Sequence, residues 1–138
     1  MLAALAELAP VTAVAGNIDG FRCGDAGETA RVVLDGVRFF LTHILDRPRR
    51  PRAEVTAELR REPADVVVFG RSHLPHDEVL DGVRYFNPAS AGPRRFSLPI
   101  SVGILEVQRG RVVRSRIVAL DARSETALQK RMNQLSRA

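Results

Sequence analysis

The chain has 138 residues, 45% of them apolar, which is enough for one globular domain with a real core and too apolar for a disordered chain. Its formal charge is +5, yet the arginines are scattered apart from the Arg47–Arg52 cluster and aromatics are only 5%, so nothing marks a dedicated nucleic-acid surface. The single Cys23 excludes an internal disulfide and fits a reducing cytoplasm, and no apolar run is long enough to span a bilayer.

In chain order, Leu2, Leu5 and Leu8 repeat at helical spacing, and Pro10 ends that helix. Val11 to Ala15 reads as a short buried strand, followed by the loop Gly16-Asn17-Ile18-Asp19-Gly20. Asn17 and Asp19 are oxygen donors suited to a cation, or simply the side-chain caps of a turn. Arg31 to Leu34 and Val37 to Thr42 predict a hairpin turning at Asp35-Gly36 and ending at His43. Residues 44–52 predict a loop, and Ala53 to Arg61 a helix with Val55 and Leu59 on one face.

Val66 to Phe69 predicts a buried strand, with Gly70 as the residue that turns the chain into Arg71, Ser72 and His73. Open α/β sheets place ligands at such carboxyl ends. A second hairpin turns at Asp81-Gly82 and runs into the loop Asn87-Pro88-Ala89-Ser90. Residues 33–40 (VLDGVRFF) and 79–86 (VLDGVRYF) nearly coincide, a likeness that shared hairpin chemistry explains without a repeat. A third hairpin spans Ile100 to Leu120 with its turn at Arg109-Gly110, and residues 124–135 predict a last helix with Ser124 as its N-cap. His76 and Cys23 suggest a surface residue and a loop thiol without a partner base.

Three strand ends thus carry candidate ligands: Asn17, His43 and His73. With these blocks in register, the chain resembles the calcineurin-like metallophosphoesterases, nearest to the YfcE-like small phosphodiesterases. The matching blocks are Gly16-Asn17-Ile18-Asp19, Phe40-Leu41-Thr42-His43 and Gly70-Arg71-Ser72-His73-Leu74-Pro75. Asn87-Pro88-Ala89-Ser90 and Pro93-Arg94 follow them. The resemblance implies an α/β fold in which two mixed sheets form a sandwich flanked by helices, four layers in αββα order. Residues 1–138 would form one N-terminally truncated domain, about the last three quarters of the family fold. The family's Asp-x-His and first Gly-Asp blocks have no counterpart, Arg71 replaces a His, and Ala89 replaces a Gly.

The implied chemistry is two-metal phosphodiester hydrolysis, with cations ~3.5–4 Å apart activating a bridging water. By resemblance, Asn17 and His43 would ligate one divalent metal, Mn²⁺ or similar, and His73 the other. Asp19 would orient the site, and Arg71 would either bind phosphate directly or pair with Asp19. Without the lost carboxylates, and with a guanidinium at Arg71, the pair of metals would be poorly held. Three functions follow as expectations: an impaired cytoplasmic phosphodiesterase acting on a small phosphoester, a non-catalytic scaffold like the retromer subunit of this fold, or a piece of a longer chain. Loss of the family's first strands would leave Val11–Ala15 and Val66–Phe69 with open edges, an expected route to homo-oligomers.

Overall fold

Alternation in one short strand explains most of the architecture. Along β2 (Val37–Thr42), Val37, Phe39 and Leu41 point to one face and Phe40 to the other, and Val37 and Phe40 are wholly buried. A strand apolar on both faces must lie between two layers. The computed structural model, which describes residues 2–15, 28–94 and 96–136, places it there. The sheet runs β1 (Thr29–Leu34), β2, β5 (Val66–Phe69), β7 (Val83–Asn87), β6 (His76–Leu80) in spatial order. Its outer pairs are antiparallel hairpins, whereas β2, β5 and β7 run parallel. The short strands β3 (Asp46–Arg47) and β4 (Arg50–Pro51) form a separate ladder inside the stretch expected as loop.

Helix α2 (Ala53–Arg61) covers one face, where Val55 joins Phe40, Leu45, Val67 and Phe69. Arg31 fastens β1 to that helix. Its guanidinium lies 4.8 Å over the Phe40 ring, donates to the Glu58 carbonyl oxygen at 3.1 Å and faces Glu62 at 3.3 Å. The antiparallel pair β8 (Ser101–Gln108) and β9 (Arg111–Ala119) covers the other face. There Leu105, Val107, Val112 and Ile117 pack on Val37, Phe39, Val66 and Phe86. Strict alternation would set Val112 on the face of Arg114 and Arg116, but a register shift opposite Glu106 and Val107 lets Val112 pack on the core while the arginines stay exposed. Helix α3 (Ala122–Ser136) follows β9 and buries Leu128.

The Asp-Gly and Arg-Gly turns all adopt paired positive φ angles, 45° and 81° at residues 35–36, 51° and 80° at 81–82, and 51° and 79° at 109–110. The first and third interlock. Asp35 accepts the Arg109 N–H on its carboxylate at 2.9 Å and the Gly110 N–H on its carbonyl at 2.7 Å. A Cβ on Gly36 would come within 3.1 Å of the Gly110 backbone, so the two sheets close only around glycine here.

Three expectations need correction. Val11–Ala15 is not a strand: after α1 (Leu2–Ala6) these residues are irregular, pair with no described strand, and leave Val11 40% exposed. An apolar run of five residues stays extended in a sheet only where a neighbour supplies its ladder. Val66–Phe69 has no open edge, because β2 and β7 take both sides of it, so the edge-pairing argument for self-association does not hold there. Ser124 is not the cap of the last helix. Asp121 is, accepting the Ser124 N–H at 2.7 Å, while the buried Ser124 hydroxyl accepts the Ile100 N–H at 2.8 Å and ties α3 to the start of β8.

Candidate functional site

The three parallel strands end along one edge of the main sheet. Thr42 stands beside Phe69, and Val68 beside Phe86, so His43, the 70–73 bend and the 87–90 loop emerge side by side. The Gly70 N–H donates to the His43 carbonyl oxygen at 3.2 Å. The His43 ring lies against the bare face of Gly70, where a Cβ would sit 3.4 Å from Nδ1. The structure therefore brings His43 together with the loop that carries Arg71 and His73. Asn17 and Asp19 lie outside the described residues, as does Cys23.

The sharp turn is not made by Gly70, as expected, but by the two residues around Ser72. Arg71 has φ 68° and His73 φ 56°, while Gly70 keeps a negative φ. Left-handed backbone at a residue with a Cβ costs roughly 1–2 kcal/mol, so the surroundings must hold it. Ser72 does much of this. Its N–H donates to the Gly70 carbonyl oxygen at 2.9 Å, and its hydroxyl oxygen accepts the Leu74 N–H at 3.2 Å. Asn87, fully buried, then joins both loops: its Nδ2 donates to the Ser72 Oγ at 3.2 Å and its Oδ1 accepts the Ala89 N–H at 2.9 Å. Ala89, in the position where a Gly was expected by resemblance, has φ 67°. The sequence signals the 87–90 loop through its turn residues, but the tie from Asn87 to Ser72, fifteen positions apart, has no local signature.

The side chains differ in their surroundings. Arg71 is exposed and makes no ion pair among the described residues, and His73 is half-buried. Arg94 is held by the Leu98 carbonyl oxygen at 3.2 Å and by the Asp121 carboxylate. His76, expected on the surface, has a side chain only 13% exposed, set edge-on to Phe69 with ring centroids 5.9 Å apart. Its Nε2 is buried without a hydrogen-bond partner among the described residues. Burial holds its pKa below the usual imidazole value, against the opposing pull of Glu78 and Asp77.

Among the described residues no group of three or more His, Cys, Asp or Glu side chains is placed to hold a metal ion. The described donors at the strand ends are the imidazoles of His43 and His73, and the fixed charge in their loop is the Arg71 guanidinium. A pair of dications needs a carboxylate to offset its mutual repulsion, and among the described residues these two imidazoles have an arginine in their neighbourhood and no carboxylate cluster.

The profile of the calcineurin-like phosphoesterase superfamily domain matches residues 1–110. The chain belongs to this superfamily. A curated relative, a probable metallophosphoesterase of Mycoplasma pneumoniae, is 32% identical over 82 residues, 56% of this chain and 48% of its own. The chain thus spans about half the length of that relative. Among solved structures, Vps29 of Entamoeba histolytica in complex with Zn²⁺ superposes with a TM-score of 0.62 at 21% identity, covering 87% of this chain and 75% of that one. An archaeal phosphodiesterase gives a TM-score of 0.62 at 22% identity, with 87% and 77% coverage. These two likenesses establish the phosphoesterase fold. They agree with the mixed sheet, the covering hairpin and the flanking helices of this chain.

Proposed function

We propose that this chain is a phosphoesterase directed at phosphodiesters, in which hydrolysis at a two-metal centre is impaired by its own strand-end residues. The supporting observation is Arg71: an exposed guanidinium, free of carboxylate partners among the described residues, on the short bend between Gly70 and His73. A guanidinium there is suited to take two phosphate oxygens at once. It also opposes a dication held by His73. In this reading Arg71 binds the ester, His43 and His73 are the remnant metal ligands with Asn17, and Asp19 orients them.

The test is turnover of bis-p-nitrophenyl phosphate with Mn²⁺, for this polypeptide and for Arg71→His. The reading expects slow hydrolysis that rises at least about tenfold in the variant, as the cation is exchanged for a ligand. Fast hydrolysis by the unaltered chain, with no gain in Arg71→His, would contradict impairment. A second reading is favoured by the lack of a carboxylate cluster among the described residues. In it the fold is retained for binding a partner, and neither protein hydrolyses the ester.

A further inference from the structure

Beyond the strand ends, the structure contains a concave surface that the phosphoesterase reading does not use. It is a cleft of about 590 Å³ between one face of α3 and two proline-containing segments, residues 74–75 and 97–99. Arg123, Lys130 and Arg131 line it from the helix, and among the described residues no carboxylate lines it. The spacing 123, 127, 130, 131, 134 puts these groups on a single helical stripe. Elsewhere many arginines are matched to acids: Arg31, Arg38, Arg52, Arg61, Arg84 and Arg94 all form ion pairs. The three cleft cations form none with the described residues. Arg131 is fixed by its Nε–H, which donates to the Pro75 carbonyl oxygen at 3.0 Å. The remaining guanidinium donors make no bond to a described residue.

We propose that this cleft is a binding site for an organic phosphate, an anionic group attached to a flat or apolar body of nucleotide size. The cations supply the charge and the donors for a phosphate. Leu74, Leu98 and Ala127 supply apolar surface for the body. Thr126 and Gln134 add neutral hydrogen-bonding groups. The volume lies within the usual range for small-molecule sites, roughly 300–1,000 Å³, and is small for a folded partner. Helix α3 does not provide the anion site through its amino end, which is already capped by Asp121. None of the lining residues is a strand-end candidate, so occupancy of the cleft requires neither a metal nor hydrolysis.

The experiment is a ¹H–¹⁵N correlation titration of the polypeptide with adenosine 5′-monophosphate in EDTA, with separate arms for adenosine, inorganic phosphate and an Asp/Glu-rich peptide. The proposal expects shifts at Leu74, Leu98 and Ala127, and tighter binding of the nucleotide than of adenosine or phosphate alone. Arg123→Gln and Lys130→Gln, both at exposed helix positions, should weaken binding about tenfold each while leaving the rest of the spectrum in place. Shifts confined to His43 and residues 70–73, indifference to both variants, or a response to the peptide but not the nucleotide would overturn it. Because EDTA removes metals, failure of the hydrolysis reading leaves this result unaffected.

Discussion

Gly103 of the β8–β9 hairpin faces Phe86 of the main sheet and Pro88 just beyond it, and adding one methyl group there should disturb both the core and the site. A Cβ at this position would collide with Phe86 Cε1 and stand 2.7 Å from its Cζ and 2.9 Å from Pro88 Cβ. The Phe86 ring cannot simply move aside, because it is 3% exposed and packed with Val37, Phe39 and Val66. Overpacking of this kind costs about 1–3 kcal/mol, so Gly103→Ala should lose about 2 kcal/mol and several degrees in Tm. Urea titration monitored by circular dichroism gives the loss directly. Phe86→Leu removes the ring that clashes, so the double variant should be less destabilised than the sum of the singles by about 1 kcal/mol. A Gly103→Ala protein within about 0.5 kcal/mol of the unaltered chain, or strict additivity in the cycle, would refute the packing argument.

Asn87→Ala should cost about 1–3 kcal/mol, since it deprives the Ala89 N–H and Ser72 of a buried partner; urea titration measures it, and faster amide exchange at residues 72–74 should accompany it. Asp121 has its carboxyl pKa lowered to about 2 by hydrogen bonding from Ser124, side chain then backbone, and by Arg94. Its contribution is complete above the unfolded value of 3.8 and is lost as pH falls toward about 2, so the Tm gap between the unaltered chain and Asp121→Asn should close over that range. His76 is held neutral by burial, so its contribution is present above 6.5 and declines as pH falls below it. His76→Phe should keep the contact with Phe69 and remove that decline, seen as a flatter Tm profile between pH 7 and 5.

The elements that local chemistry dictates were readable without coordinates. Asp35-Gly36 and Asp81-Gly82 supply the positive φ angles their hairpins need, and Val66–Phe69 is apolar at every position. That His43 and the 70–73 bend would meet was implied by the family resemblance, not by any local signal. What was not readable depends on partners distant in sequence. Val11–Ala15 has a strand's composition but no ladder, and the Asp35 lock on Arg109 joins turns 74 residues apart. Ser124 has the composition of a cap, yet Asp121 lies three residues earlier and Ile100 claims the hydroxyl. His76 resembled a surface residue because the ring it meets edge-on, Phe69, belongs to another strand. The basic stripe of α3 was present in the residue spacing, but the facing loops that make it a cleft were not.

The measurement that bears most directly on the site is calorimetric titration of this polypeptide with Mn²⁺. The account predicts no tight two-metal stoichiometry, because among the described residues the strand ends bring His43 to the bend that carries Arg71 and His73 with no carboxylate cluster beside them. Two Mn²⁺ ions bound tightly per chain would contradict it.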